Sequence, residues 1–231
     1  MRLAGVILIA GTLLGILPGT LHAAELFNGT PGSADFSIFP GWQRVMSEAR
    51  GEITEGEKLE QSRCASDDGC ALEKWIAFLD STAHLPRAQQ LEAVNKWGND
   101  HPYVEDWAQW GLPDYWETPE EFITQGGDCE DYAILKYFSL VYLGFSPDDL
   151  RIVVLKDTNL DIYHAVLAVH RKGAETLLLD NQIEQPVPRS LAPQYHPIYS
   201  LNERGWWMAN PPQLTSRLEL DKESVFASAG K

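Results

Sequence analysis

The chain has 231 residues, of which 44% are hydrophobic and 10% aromatic, and its formal net charge is −15. This apolar content is enough for one packed domain, with or without an appendage, and it excludes a disordered chain. Phosphate backbones and anionic lipid headgroups repel a protein of this charge. We therefore expect neither nucleic acid nor a membrane surface as a partner.

The first 23 residues have the pattern of a secretory signal peptide. Arg2 supplies the positive start, residues 3–17 form an uncharged apolar run, and Pro18 breaks it ahead of a small-residue cleavage site at Ala23. A short membrane anchor is the alternative, but the run is shorter than the roughly 20 residues that a spanning helix needs. We predict export to the periplasm, with no stable membrane insertion of the mature chain.

Three cysteines follow the signal, which is an odd number for an exported protein. Cys64 and Cys70 are close enough in sequence to close a small disulfide loop, or they stay as two free thiols. Cys129 is left over in either case. An unpaired cysteine in an oxidising compartment is a candidate reactive thiol.

Residues 24–89 form the predicted N-terminal helical region, which we expect to belong to one compact domain with the rest. Residues 24–41 contain glycines and prolines and should be extended. Apolar residues then recur at helical spacing in 42–50, 71–80 and 86–97.

Residues 90–231 form the predicted catalytic core. Its first part, residues 98–127, is irregular and rich in aromatic residues, with a short helix expected after the cap residue Thr118. Asp128 opens the most apolar helix of the chain, which should be largely buried, and Gly144 ends it.

Three β-strands are predicted after that helix, at residues 151–155, 162–170 and 175–181. A helix followed by three consecutive antiparallel strands is an α+β arrangement. The tail after about residue 210 is weakly patterned, and we expect it to be loosely attached.

The second hairpin predicts a pair of interacting side chains. If residues 171–173 form a three-residue loop, His170 closes the hairpin opposite Ala174, and His164 then faces Asp180. An aspartate beside a histidine fixes the tautomer of the ring and stabilises its charged form.

Cys129 lies in the first turn of the buried helix, where exposed N–H groups and the helix dipole favour an anion. With His164 as base and Asp180 as orienting acid, it completes a candidate catalytic triad. The alternative is a structural thiol, a core histidine and a turn aspartate. The remaining histidines of the mature chain have no acid placed comparably; they are His84, His101, His170 and His196.

Three acids flank the cysteine: Asp128, Glu130 and Asp131. Their charges should raise the pKa of a neighbouring thiol, which opposes nucleophilic chemistry. Either they only complement the helix dipole while facing water, or they bind a hard cation, and clustered carboxylates suit Ca²⁺.

The run Gly-Gly-Asp-Cys-Glu-Asp-Tyr at residues 126–132, the segment 114–119 upstream, and His164 and Asp180 downstream resemble the bacterial transglutaminase-like cysteine proteinases. The resemblance covers roughly residues 90–210. It implies a papain-like core in which the cysteine helix packs on an antiparallel sheet. It also implies a Cys129–His164–Asp180 triad and calcium dependence, with Asp128 and Glu130 as ligands and Asp131 as a further candidate ligand.

The family members that the chain resembles most imply a biological role. They are periplasmic proteases that cut large surface adhesins near the N-terminus, at a paired-alanine site, and so release the adhesin and disperse the biofilm. An inner-membrane receptor that senses cyclic di-GMP holds them inactive through its periplasmic domain. The resemblance thus implies an adhesin as substrate and such a receptor as inhibitory partner.

Other functions fit the same core. Transglutaminases and cell-wall amidases use the same triad on a glutamine side chain or on a peptidoglycan stem peptide. A non-catalytic, calcium-dependent binding protein is a further alternative, although an intact cysteine, histidine and aspartate argue against it.

Overall fold

The computed structural model describes residues 32–62 and 71–209. The predicted signal peptide, the Cys64–Cys70 loop and the tail after residue 210 lie outside the described residues. None of the described helices is both long enough and apolar enough to cross a membrane.

Six α-helices precede the sheet in the described part of the chain. The first helix is much longer than the predicted 42–50. Its second half has few apolar residues that face the core, so the sequence there shows no helical periodicity. Gly56 lies there against α2, where an added Cβ would be 2.7 Å from Ile76 Cγ1. The helices are α1 (Pro40–Ser62), α2 (Ala71–Ala83), α3 (Arg87–Asn99), α4 (Asp106–Gln109), α5 (Pro119–Gln125) and α6 (Cys129–Tyr142).

Two helix starts near the predicted site are set by side chains. At α5, Thr118 accepts a hydrogen bond from the N–H of Glu121, whose carboxylate accepts one from the Thr118 N–H, as the sequence predicts. Ahead of α6, the Asp128 N–H donates to Asp131 Oδ2 at 2.9 Å. The start of α6, and hence Cys129, is therefore fixed by its own first turn.

The described residues form one antiparallel sheet of six strands in the order β4-β3-β2-β1-β5-β6. The three predicted strands are its centre, so the predicted α+β fold is confirmed. The last three strands follow the predicted ones in sequence. The strands are β1 (Leu150–Asp157), β2 (Ile162–Arg171), β3 (Ala174–Leu179), β4 (Val187–Pro188), β5 (Tyr195–Asn202) and β6 (Gly205–Met208).

The predicted register of the second hairpin is wrong. Arg171, rather than His170, pairs with Ala174, so the loop is the two residues Lys172 and Gly173, with Gly173 at φ +75°. After an irregularity at residue 170, Leu167 pairs with Leu179, two residues beyond the partner that the prediction implies. Asp180 therefore follows the paired strand and does not lie directly opposite His164. A shift of two residues keeps side chains on the same face, so the two remain neighbours.

The hydrophobic core lies between α6 and the sheet and continues under α1, α2 and α3. The predicted burial of α6 is confirmed: Ile134, Leu135 and Leu140 are at most 1% exposed. Each such side chain contributes about 1.5–3 kcal/mol of burial free energy. The cysteine helix is therefore held rigidly against β1 and β2.

The two ends of the described chain meet at the edge strand β6. Ser33 pairs with Trp206 through two backbone hydrogen bonds of 2.9 Å. Nearby, the indole N–H of Trp42 on α1 donates to the Asn202 carbonyl at the end of β5. The N-terminal helical region is thus joined to the last strands of the sheet.

Candidate active site

The imidazole of His164 and the carboxylate of Asp180 form a buried pair. Their side chains are 2% and 1% exposed, and His164 Nε2 lies 2.9 Å from Asp180 Oδ1. Because an ionised carboxylate only accepts hydrogen bonds, Nε2 is the protonated nitrogen and Nδ1 remains free to accept a proton. The pair therefore holds the tautomer that a general base requires.

Asp180 is itself fixed by two further donors. The Tyr195 hydroxyl donates to Oδ2 at 2.6 Å, and the Gln182 N–H donates to Oδ1 at 2.9 Å. Burial acts to raise the pKa of Asp180, but the hydrogen bonds from His164, Tyr195 and Gln182 outweigh it and hold the pKa below its usual value. Asp180 is thus ionised and oriented without help from solvent.

Cys129 is the first residue of α6 and is half-buried. The backbone N–H of Ala165, the residue that follows His164 on β2, is close enough to act on the thiol and lower its pKa. The sulfur therefore lies beside the strand that carries the histidine. Cys129 is thus near β2, and the His164–Asp180 pair lies between β2 and the end of β3.

The surroundings of the Cys129 thiol oppose its ionisation. Its Sγ donates to Glu130 Oε2 at 3.2 Å. Burial, and then the charges of Glu130 and Asp128, raise the pKa of Cys129 far above its usual value, while the Ala165 N–H acts in the opposite direction. Positive charge near these carboxylates would therefore favour the thiolate.

A group of acidic side chains from three stretches of the chain lies beside Cys129. In overlapping sets of three, carboxylate oxygens approach to within 4.8 Å of one another. Glu117 adjoins them, because its carboxylate and that of Asp131 both lie against Gly127. We call this group the carboxylate cluster; its members are Asp106, Asp114, Glu117, Asp128, Glu130 and Asp131.

The carboxylate cluster has the properties of a site for a hard cation. Among the described residues, no hydrogen-bond partner exists for Asp106 Oδ1, Glu117 Oε2 or Asp128 Oδ1, all of which are buried. Burial and mutual repulsion raise the pKa of Asp106 to about 6 and that of Glu117 to about 7. Unpaired carboxylate oxygens that repel one another are ligands that Ca²⁺ prefers, so the residues present fit calcium.

The three predicted calcium ligands differ in how many hydrogen bonds their carboxylates already accept from the protein. Asp128 has an unpaired buried oxygen, and the Glu130 carboxylate accepts the Cys129 thiol hydrogen bond and lies close to Asp106 and Asp114. Asp131 is fully buried, and its two oxygens accept the N–H groups of Glu117 and Asp128 at 2.8 and 2.9 Å. Asp131 therefore joins α6 to the segment before α5 in addition to facing the cluster.

Close contacts within the protein require glycine at positions 126 and 127, shortly before Cys129. Gly126 has φ +81°, and a Cβ there would collide with the Pro102 carbonyl. At Gly127, a Cβ would collide with the carboxylate of Asp131. Both glycines allow the chain to pass close to its neighbours just before the cysteine helix.

Comparison with known proteins identifies the family. A family model described as bacterial transglutaminase-like cysteine proteinase matches residues 64–209, which is more than half of the chain. The chain belongs to this family. No curated protein sequence matches the chain.

Solved structures of another family member have the same fold. The EGTA-treated structure of Legionella pneumophila LapG is 34% identical, covers 77% of this chain and 96% of its own, and aligns with a TM-score of 0.61. The calcium-bound structure of Legionella pneumophila LapG is 34% identical, covers 74% of this chain and 98% of its own, and has a TM-score of 0.60.

This transglutaminase-like proteinase contains site residues that the sequence alone does not predict. Asp106 and Glu117 lie in the irregular aromatic segment, where no periodicity shows which side chains meet the cysteine. Asp114 and Glu117 stand in the segment 114–119 that carries the family resemblance, which is the one available signal. Tyr195, the partner of Asp180, begins a strand with no clear alternation.

Proposed function

We propose that this protein is a calcium-dependent cysteine endopeptidase in which Cys129 is the nucleophile, His164 the general base and Asp180 the residue that orients the histidine. The observation that carries the proposal is the buried His164–Asp180 pair beside the half-buried thiol at the start of α6. It fits the family to which the chain belongs.

In the proposed reaction, Nδ1 of His164 takes the thiol proton and the Cys129 sulfur attacks the carbonyl carbon of the scissile peptide bond. Asp180 stabilises the imidazolium that forms. The imidazolium then gives its proton to the leaving amine, so that an acyl-enzyme remains on Cys129. Water, deprotonated by His164, hydrolyses this thioester and returns the thiol. The N–H of Cys129 itself is a donor toward the developing oxyanion.

The carboxylate cluster is the proposed calcium site, with Asp128 and Glu130 as principal ligands and Asp131, Asp106 and Asp114 around them. Bound calcium supplies two positive charges where uncompensated carboxylates otherwise raise the pKa of Cys129. Glu130 contributes most directly, because its carboxylate accepts the thiol hydrogen bond.

We further propose a periplasmic location, a large cell-surface adhesin cut near its N-terminus as substrate, and release of that adhesin with dispersal of the biofilm as the outcome. The signal-like residues 1–23 support export. The resemblance to the family described in the sequence analysis is the basis for this substrate and for an inhibitory inner-membrane receptor that senses cyclic di-GMP.

The test is to incubate the mature protein with an N-terminal adhesin fragment in EGTA, and then with Ca²⁺ or Mg²⁺ restored. We expect two fragments whose masses sum to the substrate plus water, no cleavage in EGTA, and better recovery with Ca²⁺ than with Mg²⁺. Cys129→Ala is the inactive control.

Other results would favour the alternatives. Cross-linked products of higher mass would indicate a transglutaminase. Release of stem peptides from peptidoglycan, with the adhesin intact, would indicate an amidase. Calcium binding with an unreactive Cys129 thiol would indicate a binding protein, and cleavage by Cys129→Ala at the parental rate would exclude the proposed nucleophile.

A further inference from the structure

Lys136 is a buried lysine behind the catalytic junction. It lies on α6, two helical turns after Cys129, and its side chain is completely buried. Among the described residues, its Nζ has no hydrogen-bond partner; the nearest aromatic ring is that of Tyr132, with its centroid 5.8 Å away. The proposed reaction does not use this lysine.

The Lys136 side chain packs against α3. Gly98 lets the two helices approach, because a Cβ at that position would lie 3.1 Å from Lys136 Cε. On the same helix, Asn99 donates through Nδ2 to the Asp180 and Ile183 carbonyls at 3.0 and 3.1 Å. Lys136 therefore lies beside the helix that holds the loop carrying Asp180.

A second amide completes the attachment of that loop. Asn95 Nδ2 donates to the carbonyls of Ile183 and Glu184, both at 2.9 Å. Because both Nδ2 groups are committed to backbone carbonyls, the Oδ1 atoms of Asn95 and Asn99 are left as acceptors. Those two oxygens, and Oδ1 of Asn181, are buried without a partner among the described residues.

The chemistry of this region is complementary to a cation. Three amide oxygens are acceptors, Asp180 carries a negative charge, and an ammonium group offers three N–H donors. Asp180 is the carboxylate whose charge acts on Lys136. The elements packed around the lysine otherwise present Tyr132 from α6 itself and the amides of α3, and His164 is hydrogen-bonded to Asp180.

An isolated buried ammonium destabilises a fold. Burial lowers the pKa of Lys136 to about 7, and the charge of Asp180 offsets only part of this. Replacing a buried ammonium that has no hydrogen-bond partner with an apolar side chain of similar volume removes this desolvation cost. Packing alone therefore does not account for a lysine at this position.

We propose that Lys136 is a positioning residue for the His164–Asp180 pair: its ammonium complements the Asp180 carboxylate, and with Asn95 and Asn99 it fixes the loop of residues 180–184. The proposal rests on the proposed function, because it assigns Lys136 to the same catalytic reaction. The lysine acts through Asp180 and does not touch the substrate.

The test compares Lys136→Met, which keeps the length of the side chain, with Lys96→Met, an exposed lysine on α3. We expect kcat of Lys136→Met to fall roughly tenfold to a hundredfold with KM nearly unchanged, because geometry is lost and substrate contacts are not. Its melting temperature should equal or exceed that of the parent. Lys96→Met should retain the parental kcat.

The pH profile provides a readout that a purely structural role would not change. The parent should lose activity at alkaline pH as Lys136 loses its proton, and Lys136→Met should lack that limb. A Lys136→Met variant with the parental kcat and pH profile would overturn the proposal. So would a variant that is unfolded or clearly less stable, because Lys136 would then serve stability.

A measurement without substrate separates this proposal from the proposed function. The His164 Nε2 proton, which lies in the hydrogen bond to Asp180, can be followed by proton NMR. Its resonance should shift or broaden in Lys136→Met and in Asn99→Ala, and not in Lys96→Met. An unchanged resonance in both variants would refute the positioning role, whereas a parent that fails to cleave adhesin would count against the proposed function alone.

Discussion

Buried carboxylates on the two sides of the catalytic junction have opposite environments. On the histidine side, both oxygens of Asp180 accept hydrogen bonds from the protein, and its pKa is lowered. On the cysteine side, Asp106, Glu117 and Asp128 each retain a buried oxygen without a partner among the described residues, and the pKa values of Asp106 and Glu117 are raised.

The contrast shows that burial alone does not decide the charge of an acid; the donors around it do. The protein supplies every donor for the residue that orients the base. For the acids around the nucleophile it supplies too few, and a cation can supply what is missing. The base is therefore preorganised by the fold, while the thiol depends on the ionic composition of the surroundings.

The largest effect should come from removing the base. His164→Ala should lower the cleavage rate by about 10⁴-fold. Asp180→Asn should cost less, roughly 100-fold, because an amide oxygen can still accept from His164 and Gln182 while the Tyr195 hydroxyl turns to accept from the amide nitrogen. Single-turnover cleavage measures both rates. Equal losses in the two variants would show that the hydrogen bonds around residue 180 do not keep His164 oriented once the carboxylate is replaced.

The next effect is a change in stability on calcium binding at the cysteine side, and it is measured without substrate. At a calcium concentration of about 100 times Kd, binding should stabilise the parent by about 2.7 kcal/mol. Glu130→Gln should raise the stability of the calcium-free protein, because repulsion is relieved, and should weaken the response to calcium. Thermal unfolding in EGTA and in Ca²⁺ measures this, with the exposed Glu92→Gln as control. Equal calcium responses in all three proteins would place the cation elsewhere.

A smaller effect is expected from Tyr195→Phe, which removes one donor from Asp180. The loss of a hydrogen bond to a buried charged group should reduce the free energy of unfolding by about 1.5–3 kcal/mol. Tyr142→Phe is the matched control, because its hydroxyl bonds Asp80 at an exposed position and should matter by less than about 0.5 kcal/mol. Urea titration compares the two, and equal costs would mean that Asp180 does not depend on Tyr195.

The last effect is a pH dependence of stability at the buried Lys136, which changes the free energy of unfolding by at most about 1.4 kcal/mol per pH unit. Its pKa is lowered from 10.5 to about 7, so the unfolded chain binds more protons between these values. The free energy of unfolding should therefore rise with pH through this window in the parent, relative to Lys136→Met. Parallel curves for the two proteins across that range would show that burial does not lower the pKa of Lys136.

The sequence predicts those parts of the fold that have strong periodicity or distinctive helix ends. The apolar run of α6 and the continuous apolar strand β1 determine the helix and the centre of the sheet. The edge strands β4 and β6 have only two and four residues, and β5 contains Pro197 among half-buried positions, so none of them shows clear alternation.

The residues of the candidate site also fall into those that the sequence predicts and those that it does not. Cys129, His164 and Asp180 can be predicted because a helix start and one hairpin bring them together through local rules. The pairing register was wrong by two residues, yet the shared face survived because strands repeat every two residues. Asp106 and Glu117 become neighbours of the cysteine only through tertiary packing of an irregular segment, which leaves no periodic signal in the sequence.

The pairing of Ser33 with Trp206 has a consequence for how the chain matures. Contacts between residues so far apart in sequence close late in folding, because the entropy of closing the loop must be overcome first. In a chain exported N-terminus first, α1 would emerge long before its partners on β5 and β6. The finished enzyme would then assemble only once nearly all of the polypeptide has crossed the inner membrane, and a chain stalled in transit would lack the contacts that close its core.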